Sequence, residues 1–417
     1  MKKLLSLMTV ALLSLIVAFS TGCTFFSGDT GDLGSEDQPP LSYLQAENVV
    51  INTVLEADRQ LKTRPALVRE VKNSVVALRG ITAGEYNGSY SSGVIVDIDL
   101  FDVNDQLLDK ANEFYVITCH HCVDSQDAIE VCLVDEKGKN FTDDGYNDAY
   151  AFTGRLYGSP SYAGDVRLIG GDKDSDLAVL KLTIGNTAIA NSIVEAKIMD
   201  VEKYQSEVGE DVVAIGNPSG LLPGTVSAGI ISYLGRVETI EDIGALEVMQ
   251  IDVQTNPGSS GGALFNMYGE LVGITNAGNT KYDGLNFAIP LKTEASNQGV
   301  ISIVSQLLGT ATATNYGYVS GRWMLGITVT EVNNKLYIDS LVPSSPAYKA
   351  GIREGDYVSK VKKGFRSYTI TTLASFDRAL TEIKKTAKIG DKITIQVNGS
   401  SDIDVSIVQY IYNDTGL

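Results

Sequence analysis

The chain has 417 residues, 44% of them hydrophobic and 20% charged, which suits two or three domains with sizeable cores and excludes wholesale disorder. Acidic residues outnumber basic ones 51 to 33, a formal charge of −18, and this excludes a general electrostatic attraction for nucleic acid or anionic lipid. Only two histidines occur, the adjacent His120 and His121, so any mechanism that needs imidazole must use one of that pair.

Residues 1–22 read as a lipoprotein-type signal peptide. Lys2 and Lys3 precede an apolar run over 4–19, which is short for a bilayer-spanning helix, and Ser20-Thr21-Gly22-Cys23 follows. Cys23 is then the lipidation site, although Ser20 stands where such signals usually carry an aliphatic residue. An uncleaved membrane anchor is the alternative, and both readings put the bulk of the chain outside the cytoplasm. Two or more acyl chains suffice for stable anchoring without a polybasic patch, so the expected location is extracytoplasmic, lipid-anchored to a bacterial membrane. Residues 23–45, rich in Gly, Ser, Asp and Pro, are expected to form a flexible tether.

A helix is expected over 41–61 from the near-helical spacing of Leu44, Val50 or Ile51, Val54 or Leu55, and Asp58. The texture then changes to short β-rich runs at 74–78, 93–98, 114–118, 129–134, 177–182, 212–215, 226–233, 248–253, 271–275 and 285–289. Many short strands without regular intervening helices indicate an all-β barrel or sandwich. The polar stretches 97–112 and 137–165 read as long surface insertions. From about Trp323 the chain resumes as a separate αβ module.

Three short segments carry the chemistry. In Thr118-Cys119-His120-His121-Cys122 a strand gives way to a turn. In Asp174-Ser175-Asp176-Leu177-Ala178-Val179-Leu180-Lys181 an acid heads an alternating strand. In Asn256-Pro257-Gly258-Ser259-Ser260-Gly261-Gly262 a serine sits inside a glycine-rich turn. A serine hydroxyl is a poor nucleophile until a base removes its proton. An imidazole can do so near neutral pH when a carboxylate fixes its tautomer, and glycines let backbone N–H groups converge on a developing oxyanion. Taken singly, Asp176 is an ordinary turn residue and the glycine-rich turn an ordinary connection. The Cys-His-His-Cys run lacks the second separated ligand pair of a tetrahedral metal site, so neither a metal nor a cofactor is expected.

Together and in this order, the segments resemble the HtrA (Deg) family of chymotrypsin-like serine proteases. The resemblance extends through Ser92-Gly93-Val94-Ile95, Ala214-Ile215-Gly216-Asn217-Pro218 and Asn286-Phe287-Ala288-Ile289-Pro290. It implies a mainly β fold, a chymotrypsin-like double β-barrel over 46–310 with an N-terminal helix. By the same resemblance His121 is the base, Asp176 the orienting acid and Ser260 the nucleophile, with Gly258, Ser259 and Ser260 forming the oxyanion hole. Departures are Cys119 for Asn, Cys122 before Val123, Ser175 for Thr and Ser259 for Asn; none removes a catalytic group. The spacing from Thr118 favours His121 over His120.

Six residues before the nucleophile, where chymotrypsin-like proteases place the base of the primary pocket, stands Gln254. No preference for cleavage after Lys or Arg is therefore expected, and the family implies small or medium aliphatic residues. Asn286 and Phe287 are assigned to the same specificity pocket. If Cys23 is lipidated, Cys119, Cys122 and Cys132 leave an odd thiol, and Cys132 is a possible partner for either of the others.

The C-terminal segment 318–417 resembles a PDZ domain. Met324-Leu325-Gly326-Ile327 looks like its carboxylate-binding loop, and Phe376, Ala379, Leu380 and Ile383 recur at the spacing of the helix beside a peptide groove. Such a domain adds a C-terminal peptide as a strand; a purely structural helix is the alternative. The resulting expectation is an ATP-independent serine endopeptidase of protein quality control that cleaves unfolded or damaged proteins through an acyl-enzyme. A chaperone or PDZ-mediated adaptor with a latent triad is the rival. The family also implies a homotrimer.

Overall fold

A computed structural model describes residues 46–409, apart from 83–84, 109–110, 125, 134–140, 143–144, 147–150, 156–164, 219–221, 223, 241–243, 279–284, 294–298, 313–315 and 343–344. The signal peptide, Cys23 and the whole of the tether over 23–45 lie outside the described residues. Among the described residues no helix is long and apolar enough to cross a membrane.

The first sheet holds seven antiparallel strands. Their spatial order is Val166–Asp172, Leu177–Thr183, Glu113–Thr118, Glu85–Val96, Val75–Thr82, Ala128–Cys132 and Ala151–Arg155. Successive side chains on a strand point to opposite faces, and here both faces are covered. Val76, Ile95, Val116 and Leu180 enter the core of this sheet, while Val75, Val94, Val96, Ile117 and Val179 join the large core shared with the next barrel. That is why these strands read as unbroken apolar runs. Each such side chain stabilises the fold by roughly 1.5–3 kcal/mol on burial.

The second unit is a closed barrel of Asp211–Gly216, Thr225–Ile240, Gly244–Ile251, Asn286–Pro290, Leu271–Gly278 and Ala263–Asn266. Helix Val300–Thr310 follows, burying Val300, Ile303, Val304, Leu307 and Leu308 along one face. Past it, Gly317 N donates to Ile169 O at 2.7 Å, in a space so close that a side chain on Gly170 would strike the Gly317 backbone.

The C-terminal module has its own core around Trp323, Leu336, Val358, Phe376 and Ile395. Its sheet runs Ile327–Val332, Lys335–Leu341, Tyr357–Lys363, Lys392–Val397 and Ser401–Ser406, with Arg366–Thr369 beside the third strand. Helix Leu373–Lys384 starts at a reciprocal cap, in which Thr372 and Ser375 each accept from the other's backbone N–H.

Two expectations are corrected. Among the described residues of 46–61 there is no α-helix: Asn48–Ile51 is a strand paired with Ile98–Phe101, and the first α-helix is Arg64–Val71. The run Val49-Val50-Ile51 is β-branched and favours extended pairing once a partner strand is available. That partner lies inside stretch 97–112, which is therefore partly built into the fold. Stretch 137–165 likewise supplies Ala151–Arg155, paired with Ala128–Cys132 as an outer strand of the first sheet.

Candidate active site

Strand Glu113–Thr118 ends at Cys119, and the chain then makes a single tight turn over His120–Cys122. This turn is clasped to the one between strands Val166–Asp172 and Leu177–Thr183. His120 N donates to Asp176 O at 3.0 Å, and His121 N donates to Asp176 Oδ1 at 2.9 Å. His121 Nδ1 lies 2.7 Å from Asp176 Oδ2. Asp176 holds a left-handed backbone at φ 52°, a conformation aspartate tolerates better than most residues. Its side chain is 1% exposed against 38% for His121. His120 is buried, with its ring against Gly171. The imidazole that meets the carboxylate is thus His121.

Ser260 arrives from the facing turn. Pro257 and Gly258 occupy the corner closed by Ser259 N donating to Asn256 O at 2.9 Å, and Gly258 adopts φ 97°, as the third position of a type II turn requires. Among the described residues the N–H groups of Gly258 and Ser260 donate to no acceptor in the protein, whereas Ser259 N is used within the turn. Ser92 pins the segment, its N donating to Ser260 O at 2.8 Å and its hydroxyl to Gly258 O at 2.8 Å. At Gly261, φ 82°, a Cβ would collide with Ser92 O and the Thr118 hydroxyl, so only glycine lets the serine turn approach the end of the histidine strand.

Asn276 connects the two sides and carries no signal in the sequence. Its side chain donates Nδ2–H to Asp176 Oδ2 at 2.5 Å. Its backbone carbonyl accepts the Ser260 hydroxyl at 2.6 Å. Among the described hydrogen bonds none joins Ser260 Oγ to His121, so the Ser260 hydroxyl rests on Asn276 O.

The electrostatics depend on the two cysteines that flank the histidine pair. Donor atoms of Cys119, His121 and Cys122 all lie within 4.8 Å of one another. Burial pulls the His121 ring down, but the Cys122 thiolate, the hydrogen bond to Asp176 and the hydrogen bond to Cys122 outweigh it and raise the ring to about 11. Burial pushes the Cys122 thiol up, yet the hydrogen bond from Cys119 and the charge of His121 bring it well below its ordinary value. Cys119 is raised by burial and by its hydrogen bond to Cys122. With His121 Nδ1 already held by Asp176, this cluster is part of the histidine site.

A pocket of about 150 Å³ opens beside the serine turn, and its walls include Ala214, Gly216, Ser227, Gln254, Thr255 and Ser259. Every residue lining it is uncharged. Gln254 lines it, as expected from its position; Asn286 and Phe287 do not. Asn286 Oδ1 accepts from Thr255 Oγ1 at 2.7 Å behind the wall, and Phe287 faces the shared core.

In the C-terminal module, Met324 pairs with Val408, and Leu325 is buried while Gly326 adopts φ 71°. Among the described residues the N–H groups of Leu325 and Gly326 meet no acceptor in the protein. Ile327 starts an edge strand of the sheet. Helix Leu373–Lys384 packs beside that strand, with Leu373 N donating to Glu331 Oε2 at 2.9 Å. Phe376 faces the module's core and Leu380 sits half-buried at its margin.

Comparison with known proteins bears on the family of the chain. The trypsin-like peptidase domain family matches residues 91–274. Serine endoprotease DegS of Haemophilus influenzae is 32% identical over 300 residues, covering 70% of this chain and 74% of that protein. Periplasmic serine endoprotease DegP of Escherichia coli K12 is 31% identical over 326 residues, 73% of this chain and 53% of that protein. A probable periplasmic serine protease do/HhoA-like of Haemophilus influenzae is 32% identical over 320 residues, 70% of this chain and 58% of its own length. The chain therefore spans little more than half of those last two relatives. A solved serine endoprotease from Yersinia pestis aligns over 84% of this chain and 100% of its own at 22% identity, with a TM-score of 0.45, too low to add to the argument. With 32% identity sustained over most of the DegS relative, this chain belongs to the HtrA (Deg) family of trypsin-like serine proteases.

Proposed function

We propose that the protein is an extracytoplasmic, ATP-independent serine endopeptidase that cleaves unfolded or damaged proteins through an acyl-enzyme. The observation that carries this reading is the 2.7 Å contact of His121 Nδ1 with buried Asp176, on a cleft shared with Ser260 and two uncommitted amides. In the reaction His121 takes the Ser260 proton as the hydroxyl leaves Asn276 O and attacks the scissile carbonyl. Asp176, held by Asn276 and by the His121 backbone, stabilises the imidazolium. The N–H groups of Gly258 and Ser260 receive the oxyanion, with Ser259 fixing the turn between them. His121 then protonates the leaving amine, and water releases the acyl group by the reverse steps. The uncharged pocket with Gln254 on its wall suits small or medium aliphatic residues before the scissile bond.

The C-terminal module is read as a PDZ domain that receives a peptide C-terminus. The uncommitted amides of Leu325 and Gly326 suit a carboxylate, and the edge strand beginning at Ile327 suits an added strand between it and helix Leu373–Lys384. The signal reading at Cys23 supports lipid anchoring to a bacterial membrane, and the family supports a homotrimer. Relatives named periplasmic endoproteases agree with an extracytoplasmic site. The rival reading, a chaperone or adaptor with a latent triad, draws on the Ser260 hydroxyl resting on Asn276 O rather than on His121. Casein cleavage by the wild type and not by Ser260→Ala supports the peptidase; suppression of aggregation by both without cleavage supports the rival.

A further inference from the structure

The run Cys119-His120-His121-Cys122 puts a thiol on each side of the histidine pair, and the fold brings the two together. Cys122 N donates to Cys119 O at 3.2 Å, closing one turn. The end Cα atoms of such a turn lie within about 7 Å, close to the span a disulfide bridges. The two sulfurs are within 4.8 Å of each other and of a ring nitrogen of His121. Both cysteines are free and buried. Cys122 Sγ sits 3.7 Å from Ser260 O, at the cleft where His121 is partly exposed. Cys132, the remaining described thiol, is engaged elsewhere with Glu130 at 3.3 Å.

We propose that Cys119 and Cys122 form a redox-active pair that closes to an intramolecular disulfide, and that closure frees His121 to act as a base. The second half rests on the peptidase reading above. Before closure the Cys122 sulfur lies within 4.8 Å of a nitrogen of the His121 ring, which Asp176 already holds at 2.7 Å, and a thiolate there favours the imidazolium, which cannot accept the Ser260 proton. A disulfide sulfur carries no charge, so closure removes one of the two anions that hold the proton. The oxidant is a small disulfide, RSSR. Cys122 thiolate attacks one of its sulfurs and expels a thiolate, which takes the proton from His121. Cys119 then attacks the Cys122 sulfur of the mixed disulfide and expels the second thiolate, which takes the Cys119 proton. Two protein thiols are oxidised by two electrons, and one RSSR becomes two RSH.

The full chain is equilibrated in oxidised or reduced glutathione, and its thiols are alkylated under denaturing conditions and mapped by mass spectrometry. A parallel sample is labelled at Ser260 with a fluorophosphonate at about pH 7. Expected are a Cys119–Cys122 disulfide with Cys132 alkylated, and labelling at least about tenfold faster in the oxidised protein. Cys119→Ser forms no such disulfide and loses the response, Cys122→Ser labels fast in both buffers, and Cys132→Ser responds like the wild type. Cys119 and Cys122 remaining alkylatable in oxidised glutathione overturns the proposal. So does a disulfide that leaves labelling unchanged or slower, and so do native reduced thiols shielded from alkylation until EDTA is added, which marks a metal site. A disulfide with no labelling in either buffer upholds the pair and counts against the peptidase reading instead.

Discussion

Asp172 and Arg322 form a two-pronged ion pair, with Arg322 Nε 3.1 Å from Asp172 Oδ1 and Arg322 Nη2 3.1 Å from Asp172 Oδ2. Asp172 is almost wholly buried and also accepts from Ser175 N at 3.1 Å and Ser175 Oγ at 2.6 Å. It therefore organises the short turn that ends in Asp176. Lys384, on the helix of the C-terminal module, holds Asp174 in the same turn at 2.8 Å. The module that is read as a peptide receptor thus grips the loop that carries Asp176.

Removing Arg322 leaves a buried carboxylate without its cation, a loss of about 3–5 kcal/mol. Arg322→Ala is expected to lower the thermal midpoint and slow fluorophosphonate labelling. In Asp172→Asn/Arg322→Ala the loss is smaller than the sum of the single losses. A calorimetric double-mutant cycle measures this, and strict additivity excludes the coupling.

Asn276→Ala deletes the amide donor to Asp176 and keeps the backbone carbonyl that holds Ser260. A hydrogen bond to a charged group contributes about 1.5–3 kcal/mol, so kcat/KM for a peptide substrate is expected to fall roughly ten- to hundredfold. Asn276→Asp, which sets a second carboxylate against Asp176, is expected to be worse than alanine.

With its folded value raised to about 11 from an ordinary value of about 6.5, the His121 proton stabilises the fold fully below about pH 6.5. That contribution is lost as pH climbs through about 11. For catalysis the direction is opposite, because the base must be neutral. Reduced protein is expected to label faster by about tenfold per pH unit from about pH 7 to 10, while its thermal midpoint falls. A labelling rate that levels off near about pH 7 in reductant shows an ordinary histidine.

Gly261→Ala places a methyl group against Ser92 O and the Thr118 hydroxyl at a positive φ. The expected outcome is a destabilisation on the order of 3 kcal/mol and loss of labelling beyond that of any unfolded fraction. Urea titration followed by labelling under native conditions separates the two effects.

At the C-terminal module, Leu380→Asp is expected to weaken binding of a peptide with an apolar C-terminus by at least about tenfold without unfolding the chain, because Leu380 sits at the margin of the core. Fluorescence anisotropy on the Ser260→Ala full chain reads it. Equal affinity for the amidated peptide argues against carboxylate capture.

Much of the β framework is legible in the amino-acid sequence because Val76, Ile95, Val116 and Leu180 belong to runs that bury both faces. Asn48–Ile51 and Ala151–Arg155 are not, since each becomes a strand only by pairing with a distant partner. Helix Val300–Thr310 has clear apolar spacing, but no motif draws attention to it. At the site, the segments holding His121, Asp176 and Ser260 stand out because triad chemistry would call for those residue types in turns, and the structure brings His121 to Asp176. Asn276 reaches both Asp176 and Ser260 only because two distant turns meet, a relation no local window contains, whereas the nearness of Cys122 to the His121 ring follows from the conformation of the one turn that holds both.

Cys132 points to a lesson about export. An unpaired sulfur in an oxidising compartment invites scrambling and crosslinked dimers. Here burial, reinforced by the neighbouring Glu130 charge, drives this thiol far from its reactive ionised state. Among the described cysteines, the proposed exchange chemistry is thereby left to the turn that holds Cys119 and Cys122, and Cys132 behaves as an inert hydrophobe.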